Sequence, residues 1–343
     1  MRQLHSIVFL SLLGTVVVGC SLSEKPALRL SEGDEYRQKV TLVSSLNMFM
    51  PDIDHREVEM ILAHHVEDVD DKGVATMRIS IESIKASMRS MTIKCRYDSQ
   101  DEVAGSPKAG GEQAAGDISR QAKYDRAFGG LAKTGYRVRV DDQGQILEVF
   151  DVDGRLESYR SEPVENTNFG GAELSLLFSS HNLREYVLPQ VLREVDAAAL
   201  KADGRWRVAG VVRGVQTGSA LAEKTVRLEE VEERATGRVA RMKMDVSPTE
   251  SESLPEYIGT EDGGGLNFEI VGGTVKGAAT PRDPDDLAGE IVFAMDKGYL
   301  VSAEEKYSAE IRLRGMGRGY GKKNPNRKKS SFVISTTIER LEP

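Results

Sequence analysis

Val74-Ala75-Thr76-Met77-Arg78-Ile79-Ser80-Ile81 (VATMRISI) is apolar at Ala75, Met77, Ile79 and Ile81 and polar at Thr76, Arg78 and Ser80. A β-strand sends successive side chains to opposite faces, so this period of two buries one face and leaves the other in water. A sheet with one wet face is the antiparallel habit. The same alternation runs through Tyr36–Leu42, Tyr136–Val140, Trp206–Val208, Ala240–Met244, Ile311–Leu313 and Phe332–Ile334. Asp70-Asp71-Lys72-Gly73 and Asp141-Asp142-Gln143-Gly144 are turn chemistry and join neighbouring strands as hairpins. The chain reads as mainly β.

Two departures punctuate this pattern. Residues 98–126 are rich in Gly, Ala, Ser and Gln, a composition that predicts a flexible loop. In Ala172–Ala199 the apolar positions Leu174, Leu177, Phe178, Leu183, Tyr186, Val187, Val191, Leu192 and Val195 recur at three and four, which predicts helix. Pro189 should kink that helix or start its second segment. The β regions on either side share an order of elements. Gly33-Asp34-Glu35-Tyr36-Arg37 parallels Asp203-Gly204-Arg205-Trp206-Arg207, and Gly73–Ile79 parallels Gly237–Met244. The hairpin Arg139–Leu147 likewise parallels Phe293–Val301. The expected fold is two related antiparallel curved sheets or half-barrels, residues 28–165 and 201–343, joined by a helical connector at 166–200.

The N-terminus carries an address. Arg2 is followed by the apolar run Ile7–Val18, about twelve residues, the length of a signal-peptide core and short of the roughly twenty needed to span a bilayer. Val17-Val18-Gly19-Cys20 resembles the bacterial lipobox. That resemblance implies cleavage between Gly19 and Cys20, removal of residues 1–19, lipid on the Cys20 thiol, and a tether over residues 20–27. Two or three acyl chains, at about 0.8 kcal/mol per buried CH₂, hold a soluble domain firmly to a membrane. Ser21 after the cysteine implies the outer membrane, facing the periplasm. A cleaved signal with an incidental Cys20, or a plain N-terminal anchor, is the alternative.

The net charge is −8, and loss of Arg2 makes the mature chain one unit more acidic. Cys95 is then the only thiol left after Cys20, so no internal disulfide forms, and its strand setting reads as a buried thiol rather than a nucleophile. His55, His64 and His65 stand near Asp52, Asp54, Glu67 and Asp68, but adjacent His64 and His65 point to opposite faces of a strand, and the plainer reading is a solvated strand face. Asp68–Gly73 imitates the start of a calcium loop, yet Ile79 stands where the bidentate Glu belongs. No nucleophile elbow, Cys-His arrangement or carboxylate pair is recognisable. The chain gives no reason to expect a metal, a cofactor or a nucleic-acid partner.

The local anomaly is Arg314–Lys329, which carries Arg314, Arg318, Lys322, Lys323, Arg327, Lys328 and Lys329 and no acid. Its Gly317-x-Gly319-x-Gly321 spacing lacks the strand-to-helix setting of a nucleotide loop. It is a candidate anion-binding loop for lipid headgroups, an anionic envelope polymer or an acidic protein partner, or else a solvated hairpin loop.

Leu28-Arg29-Leu30-Ser31-Glu32-Gly33-Asp34-Glu35-Tyr36 resembles the opening of an uncharacterised family of bacterial lipoproteins, a domain of unknown function. The likeness extends through the Val140–Val149 hairpin, the central helix and the Gly-x-Trp strand. The family has no assigned activity, so the resemblance implies an envelope lipoprotein and no chemistry. The expected role is a non-enzymatic binding or interaction module. Carriage of an apolar ligand or lipid between a curved sheet and its helix is the alternative, with Met77, Ile79, Ile81, Met88, Met91 and Ile93 as candidate lining. An enzyme with scattered catalytic residues is the third class.

Overall fold

The computed structural model describes residues 25–47, 54–90, 93–103, 115–161, 171–214, 218–235, 237–248, 268–275, 288–313 and 330–341. The alternating stretches become strands. In the first half these are β1 (Glu35–Asn47), β2 (Asp54–Val69), β3 (Ala75–Ser90), β4 (Ile93–Asp98), β5 (Gly135–Val140) and β6 (Ile146–Phe150). In the second half they are β7 (Arg205–Gly214), β8 (Gly218–Arg234), β9 (Gly237–Pro248), β10 (Phe268–Val275), β11 (Ala288–Ala294), β12 (Tyr299–Leu313) and β13 (Ser330–Leu341). The pairings are antiparallel throughout.

The two expected sheets are halves of one. The order is β6-β5-β3-β2-β1-β13-β12-β11-β9-β8-β7, with β4 on β3 and β10 on β12 off this path. First and last strands join the halves, with Val40 opposite Ile338. Along this path the strand order follows chain order like a ring cut once, and the cut lies between β6 and β7. Tyr36 and Trp206 therefore open their respective meanders but sit differently: β1 lies inside the sheet, whereas β7 is its edge. The parallel between the two openings is thus one of local sequence and not of place in the sheet.

Curvature follows from one contact. β8 and β12 are separated by β9 and β11, roughly 14 Å along a flat sheet at about 4.8 Å per strand. Yet Lys224 of β8 reaches Glu305 of β12 at 2.7 Å, which requires the sheet to fold toward their face. That face is the buried one. Val58, Met60, Leu62 and Val66 of β2 share it with Met77, Ile79 and Ile81 of β3 and with Met242 and Met244 of β9. Each large apolar side chain buried there contributes about 1.5–3 kcal/mol.

Short helices cover the cut: α3 (Gly154–Ser161), α4 (Gly171–Leu177), α5 (Ser180–Glu185), α6 (Gln190–Arg193) and α7 (Ala197–Asp203) follow α1 (Ser99–Val103) and α2 (Ala115–Phe128) in the chain. The predicted helix is thus broken into pieces, and Pro189 is the N-cap of α6, starting a segment as its missing N–H allows. α5 touches β6, while α6 and α7 touch β7. The flexible loop expected over residues 98–126 is corrected within the described residues. α2 forms because Tyr124 and Phe128, one turn apart, are both fully buried, with ring centroids 4.8 Å apart and Phe128 5.8 Å from Tyr97.

The turns that follow β2, β5, β8 and β11 share one end of the sheet. There the motif Ser31-Glu32-Gly33-Asp34 is a tight turn: Asp34 accepts from the Ser31 amide at 2.8 Å, and Gly33 takes φ +84°, a region costly for side-chain-bearing residues. Gly33 donates to the Val66 carbonyl, which launches β1 beside β2. Arg29 donates its amide to the Gly298 carbonyl at 2.9 Å, and its side chain leaves no room for a Cβ on Gly298. Leu28 is buried on the same end.

Candidate functional site

Two groups of polar side chains lie on the buried face. The first spans four adjacent strands at the turn end. His64 of β2 stacks on Tyr36 of β1, with centroids 4.4 Å apart and planes 11° from parallel. The Arg340 guanidinium of β13 stands 4.3 Å from the Tyr36 ring and 4.0 Å from the ring of Tyr299 on β12. His64, Tyr36, Arg340 and Tyr299 thus form one pile across the seam between the halves. Register produces it, because Tyr36 lies opposite His64, and Gln38 lies opposite Arg340.

This pile is electrostatically incomplete. His64 is 1% exposed and Gln38 2% exposed, yet both His64 ring nitrogens and Gln38 Oε1 lack a hydrogen-bond partner. Leaving a buried polar atom unmatched costs about 1–3 kcal/mol. Burial, with help from the Arg340 charge, lowers the His64 pKa to about 3, so the imidazole is neutral: one N–H donor and one lone pair. Tyr36 donates its hydroxyl to Met77 Sδ at 3.6 Å, and burial raises its pKa against the opposing pull of Arg340.

The second group is charge-paired. Lys224, 2% exposed, donates to both Glu305 oxygens at 2.7 and 2.9 Å. Its stem passes over Gly210 of β7, where a Cβ would stand 3.2 Å from Lys224 Cε. Arg193 donates to Glu185 at 2.6 Å, and the Gln190 amide donates to the same carboxylate. Burial would raise the Glu185 pKa, but the charges of His181, Arg193 and Lys224 and the Gln190 amide together hold it low. Gln190 Nε2 also donates to the Ala209 carbonyl at 3.1 Å, and Trp206 Nε1 to the Val191 carbonyl at 2.8 Å. This group fastens the connector helices to β7 and β8.

His64 overturns the reading of a solvated strand face, and its neighbour His65, 3.2 Å from Glu35, is the wet one. His55 bonds Ser45 at 2.8 Å through Nδ1, away from His64. Cys95 is buried on β4. Among the described residues no three His, Cys, Asp or Glu side chains converge as a metal-binding group. Gly19 and Cys20 lie outside the described residues, as do Arg314, Arg318, Lys322, Lys323, Arg327, Lys328 and Lys329. Sequence reasoning missed the pile altogether. Its available signal was parity: His64 continues the series Val58, Met60, Leu62 toward Val66.

No protein-family model matches the chain. No curated protein matches it either. Among solved structures, DynF from the dynemicin biosynthesis pathway of Micromonospora chersina aligns over 99% of this chain and 94% of its own, at 6% identity and a TM-score of 0.21. A likeness of that size carries no argument about fold or function.

Proposed function

We propose that the protein is a non-enzymatic binding module of the cell envelope, anchored through lipid on Cys20, whose curved sheet receives an amphiphilic ligand on its buried face. The observation that carries this reading is the cut in the ring. β6 and β7 are bridged by helices of four to eight residues rather than by strand pairing. Helices this short are marginal alone and hold their place by docking. A wall of docked helices moves aside at lower cost than a hydrogen-bonded ladder. Behind it Met60, Met77, Met88, Met242 and Met244 offer flexible side chains that repack around a guest.

The test is chemical. The protein is purified from envelope membranes in mild detergent, and its solvent extract is analysed by mass spectrometry beside the intact-protein mass. The expected result is a near-stoichiometric, non-covalent amphiphile in addition to the covalent acyl chains on Cys20. Cys20→Ser should abolish labelled fatty-acid incorporation and release the chain from membranes. A wild-type preparation with no co-purifying amphiphile defeats the binding reading; unchanged processing and labelling of Cys20→Ser defeats the anchor.

A further inference from the structure

We infer that the pile at the seam is a headgroup subsite for a neutral, hydroxyl-bearing lipid of the acylglycerol kind; the inference rests on the ligand-binding reading above. Three atoms decide the chemistry. Gln38 Oε1 accepts only, and the two His64 nitrogens supply one donor and one acceptor. A carboxylate or phosphate brings acceptors alone and would leave Gln38 Oε1 and the imidazole lone pair unmatched. An ammonium brings donors alone and would meet the Arg340 charge, which already opposes a cation at His64. A head with two hydroxyls satisfies all three atoms: it donates to Gln38 Oε1 and to the imidazole lone pair, and accepts from the imidazole N–H.

Position agrees with polarity. The subsite lies at the turn end, where the Arg29 amide donates to the Gly298 carbonyl just before Tyr299. Apolar side chains continue from it along the same face: Leu62 and Met60 on β2, Val40 and Leu42 on β1. A polar head at His64 would therefore bring its acyl chain among the packed apolar side chains of the buried face, which would part to admit it. Burial, aided by the charge of Arg340 held between Tyr36 and Tyr299, keeps the imidazole neutral and so preserves its acceptor.

The experiment uses the full lipidated chain in phosphatidylcholine vesicles and a photoactivatable 1-monoacylglycerol, with adducts mapped by peptide mass. Labelling is expected in β1, β2 and β13. Unlabelled monoacylglycerol should compete at least about tenfold better than the fatty acid of the same chain length, the value of one good hydrogen bond of about 1.4 kcal/mol. His64→Phe keeps the ring and Gln38→Leu the bulk, so each should fold and unfold at the same or higher temperature while labelling falls about tenfold or more. Equal competition by the fatty acid, or undiminished labelling in both variants, overturns the headgroup assignment and means that ordered water alone serves these atoms. Wild type that co-purifies an amphiphile but ignores the monoacylglycerol overturns the assignment while leaving ligand binding intact. Absence of any co-purifying amphiphile removes both.

Discussion

Lys224 and His64 are both almost wholly buried on the same face of one sheet, and they are treated in opposite ways. Lys224 has a carboxylate at 2.7 Å, and nearby Arg193 and the Gln190 amide both donate to Glu185. His64 has an aromatic ring on one face and nothing on either nitrogen. The difference separates two uses of buried polarity. Charge pairing fixes one element on another; a buried imidazole with no partner is what the proposed guest would answer.

The largest effect belongs to the charge-paired group. Lys224→Met leaves Glu305 without its cation and should cost about 3–5 kcal/mol in urea unfolding. Lys224→Met combined with Glu305→Leu should recover most of this, because two matched apolar groups need no partner. A double variant as unstable as the single would show that Lys224 acts through packing over Gly210, and the contrast with His64 would lose its electrostatic basis.

His64 comes next, through pH. Its folded pKa, about 3, lies below the ordinary 6.5, so the unfolded chain takes up a proton that the folded chain refuses. Stability is therefore full above pH 6.5 and falls as pH drops toward 3, by up to about 1.4 kcal/mol per unit. Between pH 7.5 and pH 5 the loss from this residue is about 2 kcal/mol. His64→Phe should remove it, as read from unfolding curves at the two pH values. Glu185 contributes lower down: its depressed pKa gives stability present above about 4.5 and lost as pH falls through its folded value. Identical pH dependence in wild type and His64→Phe would mean that His64 is hydrated.

Much of this was legible in the chain. Alternation from Ala75 to Ile81 placed β3, and the glycines at 73, 144 and 298 marked turns that do take positive φ. The seam was not legible, since nothing local tells β1 that its neighbour is β13, a strand nearly the whole chain away. For the same reason one sheet was read as two. α2 was missed because its stability comes from Phe128 docking on Tyr97 with Tyr124 packed against Phe128, while its other residues look like loop. The pile needed both kinds of information. Parity alone puts His64 inside, but only the β1–β13 register brings Arg340 to Tyr36.

The smallest effect tests that register. Arg340→Met keeps a long side chain and removes the cation between two rings. A cation–π contact contributes about 0.5–1 kcal/mol at exposed sites, and two of them at a half-buried guanidinium make a loss of about 1–2 kcal/mol at pH 7.5. The substitution also removes the charge that, after burial, lowers the His64 pKa. The imidazole should then protonate at a higher pH than in wild type, visible as an upward shift in the midpoint of its NMR titration. Burial remains the larger cause, so the midpoint should stay below the ordinary histidine range. In the His64→Phe background the stability cost of Arg340→Met should persist with no imidazole left to report. If Arg340→Met leaves the His64 midpoint where it was, the two residues do not sense each other across Tyr36. The seam would then be a packing junction and not a single polar site.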